Sequence, residues 1–110
     1  MTLFKNFINI VVLTTLFFPY HLSYAQQAEV AKALGAGHIV NVSDTSIVDF
    51  VGDWTDGGVD CVIETVGGAQ NFNDSLSCVR RRGSVVLVAG YFESLEVDLR
   101  KIVWSEAVVT

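Results

Sequence analysis

The sequence is poor in cysteine and in positive charge. Two cysteines, Cys61 and Cys78, allow at most one disulfide, and no C-x-x-C or Cys/His cluster accompanies them. A disulfide scaffold and a zinc finger are therefore excluded. Seven basic residues stand against twelve acidic ones, for a net charge of −5. A chain this acidic lacks the footprint that neutralises phosphate backbones or anionic lipid, which speaks against nucleic acid and the membrane surface as partners. Repeats and low-complexity tracts are also missing. What the chain has in plenty is apolar residues, 51% of 110, so disorder is excluded and one small domain is expected.

The apolar excess is uneven, being concentrated in residues 1–25. All acidic residues lie beyond residue 28, and Lys5 is the single basic residue before it. Residues 1–25 comprise a short basic start, a largely apolar run from Phe7 to Phe18, and small residues Ser23 and Ala25 at the −3 and −1 positions of a cleavage site. That order is expected for a secretory signal peptide cut after Ala25, with the apolar run helical. An uncut membrane anchor and a misplaced gene boundary are the competing readings, since no formal charge falls between Asn6 and Ala28. Pro19, His21, Gln26 and Gln27 weigh against the anchor. A leader predicts a secreted or periplasmic protein; without it the location is cytoplasmic.

Residues 26–110 have the composition of an ordinary globular domain. Ala28, Ala31 and Leu34 follow helical spacing, and Gly35 is placed to end that helix. A strand is expected over His38–Val42. Ser43, Asp44 or Ser46 then caps a helix with Ile47, Phe50, Val51 and Trp54 on one face. The turn Thr55-Asp56-Gly57-Gly58 leads into a buried strand, Val59–Glu64, which ends at Thr65-Val66-Gly67-Gly68. Phe72, Leu76 and Val79 mark a third helix. Its last turn is expected to carry Arg80-Arg81-Arg82, complementing the helix dipole, with Gly83 as the stop. Ser84–Ala89 reads as the most buried strand, and a looser stretch through Leu95, Val97, Leu99, Ile102 and Val103 leads to a last strand at Ala107–Thr110. This alternation predicts an α/β fold with a parallel sheet covered by helices. The loops following each strand then share one edge, where open parallel sheets bind ligands. Thr65-Val66-Gly67 and Val88-Ala89-Gly90 fall on that edge.

Three blocks carry a family resemblance: Ala31-Lys32-Ala33-Leu34-Gly35-Ala36-Gly37-His38-Ile39-Val40-Asn41, Gly57 to Gly67, and Gly83 to Gly90. In their order and spacing they resemble the zinc-dependent alcohol dehydrogenases, the medium-chain dehydrogenase/reductases, over residues 28–110. The resemblance implies the C-terminal half of a Rossmann cofactor domain. It also implies that Thr65, Val66, Gly67, Val88, Ala89 and Gly90 face NAD or NADP. The G-x-G-x-x-G turn, the acidic ribose reader and the zinc-bearing catalytic domain of that family have no counterpart here. Gly35-Ala36-Gly37 follows a helix instead of a strand and has Val40 at the third glycine position, so it is not a phosphate cradle.

The expectation is thus a partial Rossmann-like parallel sheet over residues 26–110, lacking the first two strands and preceded by an apolar helix. In the doubly wound order 3-2-1-4-5-6 the missing strands are central, which would leave a hole. No catalytic residue and no metal ligand is assigned, and the chain is read as a truncated oxidoreductase relative that is not competent alone. The alternative is a small exported α/β binding protein. Open sheet edges invite self-association or a partner chain in either case. His38 is read as structural, Cys61 and Cys78 as buried thiols, and Arg80–Arg82 as a solvated helix end. Asp49, Asp53, Asp56, Asp60 and Glu64 are too scattered to fix a carboxylate pair.

Overall fold

The computed structural model describes residues 2–5, 8–13 and 24–110, with side chains from residue 25 onward. Strands β1 (Thr2–Lys5) and β2 (Ile8–Leu13) precede helix α1 (Tyr24–Ala33) and strand β3 (His38–Asn41). Helix α2 (Ile47–Trp54), strand β4 (Val59–Glu64), helix α3 (Ala69–Cys78) and strand β5 (Val79–Leu87) follow. Helix α4 (Leu99–Ser105) and strand β6 (Val108–Val109) complete the order. The sheet runs β3-β2-β1-β4-β5-β6, with β4, β5 and β6 mutually parallel.

The expected hole is filled, and this corrects two expectations at once. The described part of the N-terminal run is extended rather than helical: β2 pairs in parallel with β3, and β1 pairs with both β2 and β4. Ile8, Ile10, Val11 and Val12 are β-branched, a composition that fits a pleated sheet, and the facing edges of β3 and β4 offer unpaired backbone groups. Only two residues separate β1 from β2, so the pair must be a hairpin, because a parallel pair needs a crossover of about a dozen residues. β1 consequently runs against β4, with Thr2 opposite Ile63 and Phe4 opposite Cys61. Pairing of this kind lends no support to a removable leader. The remainder of the apolar run and Ser23 of the expected cleavage site lie in residues 14–23, outside the described residues, and α1 spans the expected boundary at 25/26.

Local signals explain most of the other elements. Gly35 adopts φ +91° and ends α1: its N–H donates to Lys32 O at 2.9 Å and the Ala36 N–H to Ala31 O at 2.9 Å, the paired bonds of a Schellman stop. Of the three candidate caps, Ser46 is the one used, its Oγ accepting from Asp49 N at 3.4 Å. The core joins Val40, Ile47, Val51, Val59, Val62, Phe72, Leu76, Cys78, Val79 and Val85, drawn from β3, α2, β4, α3 and β5.

The arginine run is not the end of a helix. α3 stops at Cys78, Val79 already pairs with Val59, and the register resumes at Cys61 opposite Ser84. One residue of β4 therefore faces Arg80-Arg81-Arg82-Gly83, a large bulge with Arg82 at φ 60°. Carboxylates secure it: Arg80 pairs with Asp60, while Arg81 and Arg82 converge on Glu106. These ion pairs hold Glu106 below the usual carboxylate range. Gly83 is required at the bulge, since a Cβ there would lie 2.8 Å from Asp60 O and 3.0 Å from Arg80 O. β5 therefore spans Val79–Leu87 where Ser84–Ala89 was expected, and β3 stops one residue short of Val42. α4, unforeseen as a helix, is capped by Asp98 and has no buried residue.

Candidate functional site

The site is built at the carboxyl ends of β4 and β5. Thr55 prepares the approach: its Oγ1 donates to Val51 O at 2.6 Å and accepts from Gly58 N at 3.0 Å, closing the turn that feeds β4. β4 then ends on Glu64, at 0% exposure the one charged side chain that is buried among the described residues. Its carboxyl group accepts from Val66 N at 2.8 Å, from Gly67 N at 3.0 Å and from the Tyr91 hydroxyl. Its main-chain carbonyl accepts from Val88 N at 2.9 Å and Ala89 N at 3.3 Å.

All six residues singled out from the sequence come together on this edge. A Cβ on Gly67, which has φ +91°, would lie 3.3 Å from Gly90 O and 3.5 Å from the Ala89 Cβ, so the two loops are in contact. Thr65, Val88 and Gly90 are exposed, and Val66, Gly67 and Ala89 half-buried. Gly68 starts α3, and Asn71 Nδ2 reaches back to Gly67 O at 2.7 Å. Beside these loops is a pocket of about 230 Å³ lined by Gly68, Gly90, Tyr91, Phe92, Glu93 and Leu95. Tyr91 packs edge-on to Phe72 with ring centroids 6.3 Å apart. Burial, and then the adjacent Glu64 carboxyl, push the Tyr91 phenol well above the ordinary tyrosine range.

Glu64 and Tyr91 are the residues that sequence reasoning missed. Glu64 read as one more acid at a strand end, although its place at the close of an apolar run was a signal that it would be buried. Elsewhere, the His38 ring lies 5.1 Å from that of Trp54 and 6.2 Å from that of Phe50, a packing position on α2. Cys61 and Cys78 are both free thiols, the first half-buried and the second fully buried.

A dinucleotide needs amide donors at the central switch point, supplied by a strand, a tight turn and a helix N-terminus. Here β1 reaches that edge in the opposite direction, so no such turn follows it. The amides of Val66, Gly67, Val88 and Ala89 are already engaged by Glu64. The described residues thus do not fit a whole dinucleotide. Nor do the described residues gather three His, Cys, Asp or Glu side chains where a metal could be held. No step through either group follows from this arrangement.

An α/β sheet with paired loops at its carboxyl edge defines part of a Rossmann-type domain. The profile of the family described as "Zinc-binding dehydrogenase" matches residues 23–110. L-threonine 3-dehydrogenase of Xanthomonas campestris pv. campestris (strain B100) is 33% identical over 76 residues, 69% of this chain and 22% of that protein. The crystal structure of 2R,3R-butanediol dehydrogenase from Bacillus subtilis superposes with a TM-score of 0.75 at 27% identity, covering 92% of this chain and 26% of that one. A putative zinc-binding dehydrogenase from Sinorhizobium meliloti 1021, solved bound to NADP, gives a TM-score of 0.73 at 25% identity, covering 91% and 28%. The chain belongs to the zinc-binding dehydrogenase family, and it spans about a quarter of the length of these relatives.

Proposed function

We propose that this chain, a relative of the NAD(P)-dependent, zinc-type alcohol dehydrogenases, keeps the scaffold of half a cofactor domain and does not oxidise alcohols alone. The direction of β1 carries this reading, because it puts a hairpin strand where the phosphate-binding turn would have to begin. Thr65, Val66, Gly67, Val88, Ala89 and Gly90 are the remaining cofactor-facing surface. The test is to incubate the full chain with zinc, NAD or NADP and a panel of primary and secondary alcohols, following reduced cofactor by absorbance. No turnover above the protein-free rate is expected; steady turnover would overturn the reading.

One observation favours a second reading, a small α/β binding protein. α4 exposes Leu99, Val103 and Trp104 at 66%, 70% and 74% beside the edge strand β6. Apolar surface next to an unpaired strand edge suits self-association or a partner chain. Sedimentation that depends on concentration, and is lost in Trp104→Glu, is the expected outcome on this reading. Recovery of a chain beginning at Gln26 outside the cytoplasm would support its exported form, and an intact N-terminus in the cytoplasm would refute it.

A further inference from the structure

The least expected feature of the carboxyl edge is a fully buried carboxyl group where an apolar strand residue would pack at less cost. Burying such a group is unfavourable unless its oxygens are fully bonded, and those of Glu64 are. Its Oε1 accepts from Val66 N and Gly67 N, its Oε2 from Gly67 N at 3.0 Å and from Tyr91, and its carbonyl from Val88 N and Ala89 N. A single residue thus touches the loop after β4, the loop after β5 and the side chain that lines the neighbouring pocket. An apolar residue in its place would leave two loop amides without partners.

We propose that Glu64 is a positioning residue that locks the Thr65–Gly68 and Val88–Tyr91 loops edge to edge, fixing the wall that a nucleotide ring would meet. The assignment rests on the reading of these loops as the cofactor-facing surface, but the lock itself needs no ligand. Packing alone would not require a carboxylate, because Glu and Gln fill nearly the same volume. Glutamine, however, has a single acceptor oxygen and no negative charge. Its N–H₂ must take the place of one oxygen, and so faces the donors Val66 N and Gly67 N in one orientation, or Gly67 N and the Tyr91 hydroxyl in the other.

The test compares Glu64→Gln, Glu64→Ala and Tyr91→Phe in the full chain, using amide hydrogen exchange and the pH titration of the Tyr91 ring resonances. In Glu64→Ala the Val66 and Gly67 amides should exchange about tenfold faster relative to the Gly58 amide, which Thr55 holds independently. In Glu64→Gln the Tyr91 titration should move down towards its ordinary value of 10.0, because the neighbouring negative charge is gone. Tyr91→Phe should leave the two amides protected. If Glu64→Ala fails to fold, Glu64→Gln decides alone. A folded Glu64→Gln with unchanged exchange at Gly67 and an unchanged Tyr91 titration would overturn the proposal. Cofactor binding by the unsubstituted chain tests the separate reading of the wall, so either can fail without the other.

Discussion

Gly58→Ala puts the most specific load on this fold. Gly58 has φ +104°, and a Cβ there would lie 2.6 Å from Cys78 O, 2.7 Å from Arg80 N and 2.8 Å from Val79 C. All three atoms are main chain, at the junction where α3 ends and the β5 bulge starts, so no flexible side chain can swing away. The positive φ alone costs an L-residue about 1–3 kcal/mol. Forcing an extra carbon against packed backbone adds about 1–3 kcal/mol. The sum, about 2–6 kcal/mol, is a large part of the roughly 5–15 kcal/mol that holds a domain folded. Gly57→Ala provides the control, because Gly57 has φ +87° with nothing within 4 Å of its Cβ position and so bears the backbone strain without the clash. Urea denaturation followed by circular dichroism should give a midpoint for Gly58→Ala clearly below that of Gly57→Ala. Equal midpoints would refute the close approach of the Gly58 turn to the end of α3.

Gly52 lies inside α2 with open space at its Cβ position, so Gly52→Ala should stabilise the chain by about 0.5–1 kcal/mol, read as a rise in thermal midpoint. Ser46→Ala removes the α2 cap; because that bond is long at 3.4 Å, the loss should sit near the lower end of about 0.5–2 kcal/mol in the same measurement. Burial, and then Asp74, push the Cys78 thiol up to about 12 from its ordinary 9.0, with Lys101 opposing. A thiol kept neutral by folding but free to ionise when unfolded gives stability that is complete below pH 9 and is lost as pH climbs from 9 to about 12. On the order of 1 kcal/mol should be gone by pH 10, and Cys78→Ala should reduce that slope in denaturation series run from pH 8 to 10. Tyr91 and Cys61, also held above their ordinary values, leave a smaller slope in the variant; a slope as steep as that of the unsubstituted chain would refute the assignment.

Much of this architecture was legible because its signals are local. Gly35 stops α1 through main-chain geometry that only its immediate neighbours set, and Val59–Glu64 is bracketed by a glycine turn on each side. The grouping of the Gly67 and Gly90 loops followed from strand alternation, since successive parallel strands must deliver their ends to one edge. What escaped was decided by partners remote in sequence. The Arg80–Arg82 run matched a helix terminus by charge, but Asp60 and Glu106 drew it into a bulge of β5. α4 has no buried residue to mark a face. Glu64 is explained by Tyr91, 27 residues away, and the strand character of the N-terminus by the two edges it fills.

The central claim is that the chain keeps the scaffold of a cofactor edge without a site for the whole dinucleotide. Calorimetric titration of the full chain with NADH and with NADPH tests it most directly. The account predicts no binding tighter than about 1 mM, a standard free energy weaker than about −4 kcal/mol. Saturable one-to-one binding in the micromolar range with either cofactor would contradict it.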